Sequence, residues 1–204
     1  IRPDVAVTLD ANVSVEKMFK PEYIKDMMVV VTPVTHPAVI IKLQTCGAKL
    51  LLNIPVAPGE DWPLIAKAYG REHIGLRAGY IVTVNAVDLA YWAGADRIVT
   101  IGNELSWDTK EENEYTFAMY PCKHTITGKI KYTIKPFAGA AVMLQGLANR
   151  HPEVEWIDCS RGILQGWKTM SLSEVLRNEK QNSRRSSINN VGVRGDSVPV
   201  AESA

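Results

Sequence analysis

Cysteine is scarce in this chain: three in 204 residues, Cys46, Cys122 and Cys159, far apart and without a Cys-x-x-Cys spacing. That excludes a disulfide framework and a thiolate zinc site as organising devices, and leads us to expect a reducing, cytoplasmic compartment. Long apolar runs are missing too, none approaching the roughly 20 residues that cross a bilayer, and no secretory leader opens the sequence. We therefore expect a soluble protein with no membrane span. Neither sign of charge is in excess, since 23 Lys and Arg against 22 Asp and Glu leave a formal net charge of +1. Bulk electrostatics then gives no reason for a nucleic-acid or acidic-membrane partner. No internal repeat, heptad or Walker-type Gly-Lys-Ser/Thr loop occurs. The first residue is Ile1 rather than Met, as expected of a fragment or of an incompletely registered start.

What the chain does have is material for a core. Hydrophobic residues make up 46% of it, enough for one sizeable domain of the usual roughly 100–200 residues. The most informative stretch runs from Gly79 to Trp107. Between Thr83 and Trp92 the apolar Val84, Val87, Leu89, Ala90, Tyr91 and Trp92 spread widely around a helix, as suits a helix laid on a sheet. Gly94 ends it, because a residue without Cβ takes the left-handed cap conformation at no steric cost. Arg97 to Ile101 then reads as a β-branched strand buried on both faces, as in a parallel sheet. Gly102, Asn103, Glu104, Ser106 and Asp108 follow at its carboxyl end, where open α/β sheets collect their ligands.

Before that stretch, Val5 to Leu9 reads as a strand that ends at Asp10. Asp10 either caps the following turn, or offers a carboxylate to a sugar hydroxyl or, through water, to a divalent ion. Met27 to Thr32 is a second strand, and His36 beyond it is a cap, a surface residue or a phosphate contact. A helix over Ala38–Leu43, a strand over Leu50–Ile54 and a helix over Gly59–Tyr69 continue the alternation, which predicts a doubly wound, mostly parallel sheet.

After the organising stretch, Asp108 to Glu114 is a solvated acidic loop or a metal-binding run. Tyr115–Tyr120 and Lys129–Ile134 read as a hairpin about Thr127-Gly128, with His124 either exposed or facing substrate as an acid or base. Pro136 opens a helix over Phe137–Asn149. Val154–Ile157 is the last strand, with Asp158, Cys159, Ser160, Arg161 and Gly162 at its end. Arg161 carries a guanidinium fork suited to phosphate or carboxylate, or pairs with Asp158 or Glu155; Cys159 reads as a small buried hydrophobe. Ser171-Leu-Ser-Glu174 is a capping box that starts a short helix stopping near Lys180. The expectation is one domain over residues 1–180 and a polar, flexible tail over 181–204.

The sequence of a helix with Leu89-Ala90, then Gly94-Ala95-Asp96, an apolar strand and Gly102-Asn103-Glu104-Leu105-Ser106-Trp107 resembles the Maf-type (motility accessory factor) glycosyltransferase-like domains. That superfamily includes the archaeal 6-hydroxymethylpterin diphosphokinase-like (MptE-like) enzymes. Asp10-Ala11 stands where those domains end a strand in Asp and a small residue. Gly128, Lys129, Tyr132 and Thr133 are similar to a phrase of their insert, and Asp158 to Gly166 is loosely similar to another. The resemblance implies a three-layer, Rossmann-like α/β fold with a mostly parallel sheet and a β-hairpin insertion. It implies ligand contacts at Asp10, at Gly79, Thr83 and Asn85 around the helix start, and at Gly102, Asn103, Glu104 and Arg161. The resembling enzymes also carry an upstream strand and a Gly-Asn-Gly-Pro-Ser-Leu-like phosphate loop, which this sequence lacks.

Three functions follow from the resemblance as expectations. In a nucleotide-dependent glycosyltransferase, Asp10, Asn103 and Glu104 would hold the hydroxyls of a nucleotide-activated sugar while Arg161 neutralises the departing phosphate. In a pterin diphosphokinase, Asp10, Glu104 and Asp108 would share Mg²⁺ with ATP. A non-catalytic binding or structural module on the same scaffold is the third; the missing loop and Tyr80-Ile81 after Gly79, where the resembling domains carry small residues, favour it, while the acidic strand end favours the two enzymes.

Overall fold

Short aliphatic runs lie side by side because each buries one or both faces against helices, and the connections between them set the direction. The structure, a computed structural model, describes residues 3–54, 76, 80–110, 118–160 and 162–191. β1 (Val5–Val7), β2 (Met28–Val31) and β3 (Lys49–Leu52) form a parallel sheet in the order β1-β2-β3, with Val7 opposite Val30 and Val30 opposite Leu51. A second parallel sheet pairs β4 (Arg97–Thr100) with β7 (Glu155–Asp158) and β7 with β8 (Lys168–Thr169). Between them in sequence, β5 (Met119–Lys123) and β6 (Ile130–Ile134) make an antiparallel hairpin. The fold is therefore α/β, three-layer and Rossmann-like, mostly parallel with a hairpin insertion, and among the described residues its parallel ladder falls into two three-stranded sheets.

Helices supply the crossovers. A 3₁₀ helix over Val13–Met18 and the one-turn α1 (Pro21–Ile24) lead from β1 to β2, and α2 (Pro37–Thr45) leads from β2 to β3. α3 (Val82–Trp92) precedes β4, α4 (Lys135–Arg150) leads from the hairpin to β7, and α5 (Leu172–Val191) closes the described chain. Two apolar cores result. One gathers Ile24, Met27, Val29, Val31, Val39 and Leu43 between β2 and α2; the other gathers Val84, Val87, Ile98, Leu144, Leu147, Trp156 and Trp167 around α3, α4 and the second sheet. Each fully buried Leu or Val contributes about 1.5–3 kcal/mol. α3 touches both β1 and β4 and so joins the two halves.

The local elements lie close to expectation, with β1 ending at Val7 rather than Leu9, β3 running Lys49–Leu52 rather than Leu50–Ile54, and four larger differences. The first hairpin strand begins at Met119 rather than Tyr115, and Pro121 lies within it opposite Tyr132, where an edge strand tolerates the missing N–H; residues 111–117 lie outside the described set. The segment after Asp10, read as a polar turn, folds into the 3₁₀ helix and α1. β8 was not anticipated, being two residues long. The last helix starts at its capping box, with Ser171 N donating to Glu174 Oε2 at 2.7 Å and Glu174 N to Ser171 Oγ at 3.3 Å, but runs on past Lys180 to Val191. The helix expected over Gly59–Tyr69 lies outside the described residues. Among the described residues no helix is long and apolar enough to cross a membrane.

Candidate functional site

The carboxyl ends of β1 and β2 are tied by side chains rather than by ladder bonds. Thr35 Oγ1 accepts from Thr32 N at 3.0 Å and donates to the carbonyl of Thr8 at 3.3 Å, and all three threonines are buried. His36 N donates to the Asp10 carbonyl at 3.1 Å. His36 also caps α2, its Nδ1 accepting from Ala38 N at 3.1 Å, which places the ring proton on Nε2. Asp10 Oδ1 accepts from Asn12 N at 2.8 Å, and Asn12 Oδ1 from Ser14 N at 2.9 Å, so two Asx turns in succession wind the chain into the 3₁₀ helix. The capping roles weighed for Asp10 and His36 are thus both realised, and for Asp10 the exposed carboxylate keeps its second oxygen for something else.

That something has space. A cleft of about 790 Å³ opens at this end of the sheet, walled by Thr8, Asp10, Phe19, Thr32, Tyr80 and Asn85 among others, with aliphatic side chains completing it. The carboxylate of Asp10 is the one charged side chain among its described lining residues. α3 enters the cleft by its N-terminus: the N-cap, Ile81, makes no side-chain capping bond, and Ile81, Val82 and the fully buried Asn85 all line it. Free N–H groups of a first turn and the positive end of the helix dipole favour negative charge there. Tyr80 lies across Gly139 of α4; a Cβ on that glycine would come within 2.3 Å of the ring.

A second polar cluster occupies the ends of β4 and β7. Asp158, buried, accepts on Oδ1 from Thr100 Oγ1 at 2.9 Å and Ser160 N at 3.0 Å, and Ser160 Oγ accepts from Asn103 N at 2.7 Å. Asn103 is itself buried, and its Nδ2 has no hydrogen-bond partner among the described residues. The backbone turns sharply here: Gly102 has φ +68° and Leu105 φ +56°, the latter costing about 1–2 kcal/mol for a residue with a Cβ. Core burial of Leu105 and a 2.7 Å bond from Thr133 Oγ1 to its carbonyl hold that turn.

The expected site residues therefore divide. Asp10 and Asn85 share the cleft; Gly102, Asn103 and Glu104 belong to the second cluster and do not line it, nor does the half-buried Thr83. Gly79 and Arg161 lie outside the described residues. Asp108, exposed, pairs with the buried Lys131 at 3.4 Å. Among the described residues no set of three His, Cys, Asp or Glu converges as metal ligands do, so Asp10, Glu104 and Asp108 do not fit Mg²⁺ as a group. His124 Nδ1 accepts from Ile126 N and Thr127 N, both at 3.1 Å, and so builds the hairpin turn. Burial pushes the Cys159 thiol up, and Asp158 and Glu174 push it further, which fits a packing role. Tyr80, Phe19 and Met18 were not singled out as contacts. Phe19 and Met18 carry no local signal, because their approach to the cleft depends on the 3₁₀ helix.

Parallel strands joined by helices, with a cleft at the carboxyl ends, define a Rossmann-like α/β fold. A solved structure of similar fold is that of the Maf glycosyltransferase of Magnetospirillum magneticum AMB-1, at a TM-score of 0.62 and 13% identity over 84% of this chain. The match covers 27% of that protein's length. At this identity the likeness is one of fold. No family model matches the chain, and no curated protein matches it.

Proposed function

We propose that this domain is the nucleotide-binding part of a transferase related to the Maf glycosyltransferases, acting on a nucleotide-activated sugar. The observation that carries the reading is the cleft, which brings the Asp10 carboxylate to the N-terminus of α3 at the ligand-binding end of a Maf-like fold. Each part has a chemical use. The Asx turn fixes Asp10 through one oxygen, leaving the other to accept from a ribose or sugar hydroxyl. The first turn of α3 would face the phosphate. Arg161, outside the described residues, is kept as the candidate for neutralising charge on the departing phosphate.

Thermal denaturation with cytidine and adenosine nucleotides and with a cytidine monophosphate-activated sugar tests this. A ligand at 100 times its dissociation constant adds about 2.7 kcal/mol of apparent stability. Asp10→Asn keeps the turn acceptor and removes the charge, so it is expected to fold as the parent does and to bind about tenfold more weakly, the loss of one charge-assisted hydrogen bond. No shift with any nucleotide would reject the transferase reading. It would favour a non-catalytic module, which the lack of any cation among the described lining residues also supports.

A further inference from the structure

Tyr80 combines two properties that seldom coincide. It is 57% exposed, a large ring left open to solvent. Yet the ring is braced: a Cβ built on Gly139 would lie 2.3 Å from its Cε2, 2.4 Å from its Cδ2 and 2.9 Å from its Cζ. The residue at that point of α4 is the one kind whose backbone a ring can lie against directly. Tyr80 also lines the cleft, with Phe19, Met18 and Asp10 among the other walls. An exposed aromatic surface, held from behind and facing a largely apolar space with one carboxylate, suits a ligand that has a flat π face and a few hydroxyl donors. A nucleoside has both. A free sugar ring is less well matched, because every hydroxyl taken from water needs a polar partner and this lining offers few.

We propose that Tyr80 is the wall against which the base of the bound nucleotide stacks, and that Gly139 is the residue that lets the ring lie there. The inference rests on the nucleotide-transferase reading of the same cleft. Stacking is tolerant of base identity because every base has a π face, so Tyr80 sets affinity for the nucleoside half and leaves base selection to other contacts.

Calorimetric titration of the full chain with adenosine and cytidine 5′-monophosphates, and with a free sialic acid, tests the assignment. Tyr80→Ala should weaken both nucleotides roughly five- to 150-fold, the range found for removal of one base–aromatic stack. Tyr80→Phe and Tyr80→Trp should restore them. Gly139→Ala, whose methyl displaces the ring, should weaken both as well, while the exposed position of Tyr80 leaves the melting temperature of Tyr80→Ala at the parent value. Parent-like nucleotide affinity in Tyr80→Ala overturns this inference and leaves the transferase reading standing. So does a loss confined to the free sugar acid. Failure of the unsubstituted chain to bind either nucleotide overturns both.

Discussion

At the scale of single residues, one charged network serves stability. Arg97, at the start of β4, donates to Glu155 Oε2 at 2.5 Å and pairs with Glu179, while Lys168 reaches Glu155 at 3.3 Å. The Arg97 hydrogen bond is the main cause that holds the Glu155 carboxyl below its ordinary 4.5, with Lys168 assisting and burial opposing. A carboxyl depressed in the folded state contributes stability that is present above about 4.5 and is lost as pH falls through the folded value below it. The Glu155 hydrogen bond raises Arg97 further above its already high ordinary value, so its own contribution is constant across the acid range. With Glu155 36% exposed, screening limits the effect to the order of 0–1 kcal/mol. Urea midpoints should therefore separate the parent from Glu155→Gln at about pH 7 and converge as the pH falls through the folded carboxyl's lowered value. A difference that persists undiminished at the acid end would mean that Glu155 acts through packing. The sequence could not pair these charges: Arg97 and Glu155 meet only because β4 and β7 align Arg97 with Glu155 in register.

At the scale of elements, the turn after β4 and the turn after β7 are built against one another. A Cβ on Gly162 would lie 2.0 Å from the carbonyl oxygen of Glu104, which also accepts from Ile163 N at 3.2 Å, and the Gly162 carbonyl accepts from Thr125 Oγ1 at 2.9 Å. The obstruction is backbone, which cannot rotate away. Gly162→Ala is expected to cost about 3 kcal/mol or more, at the upper end of overpacking changes, read as a fall in the urea midpoint with the slope unchanged. A change under about 1 kcal/mol would show that the loop moves freely. Much of this architecture was legible beforehand. Gly94 does end α3, with φ +87° and Ala95 N bonded to Ala90 O at 3.1 Å, because a helix stop is written in one residue. Asp10 was legible as a turn former for the same local reason, its side chain accepting from Asn12 N, although β1 itself stops at Val7. The separation of Asn103 and Glu104 from the cleft was not, since it depends on which loop packs on which strand end, and no spacing in the sequence encodes that. The support behind Tyr80 was hidden likewise, since it comes from a glycine on another helix.

At the scale of the molecule, the cleft lies on the half with the smaller described core. The β2–α2 cluster is made chiefly of Val and Leu, whereas the cluster around α4 adds Trp156 and Trp167, with ring centroids 5.0 Å apart, to a longer helix. Local opening follows buried apolar area, so among the described strands the amides of Val29–Val31 are expected to exchange through lower-energy openings than those of Ile98, Val99, Trp156 and Ile157. Ligand binding should change that order. A nucleotide at 100 times its dissociation constant adds about 2.7 kcal/mol to states that retain the site. The cleft is built from the ends of β1 and β2 and the start of α3, so openings that break those ends become costlier, while an opening confined to β7 and β8 does not. Hydrogen exchange with and without nucleotide should therefore show protection rising over β1, β2 and the first turn of α3, narrowing the gap between the halves. Protection rising first in β7 and β8 would place the ligand at the Asp158–Ser160–Asn103 cluster, and the cleft would lose its claim to be the site.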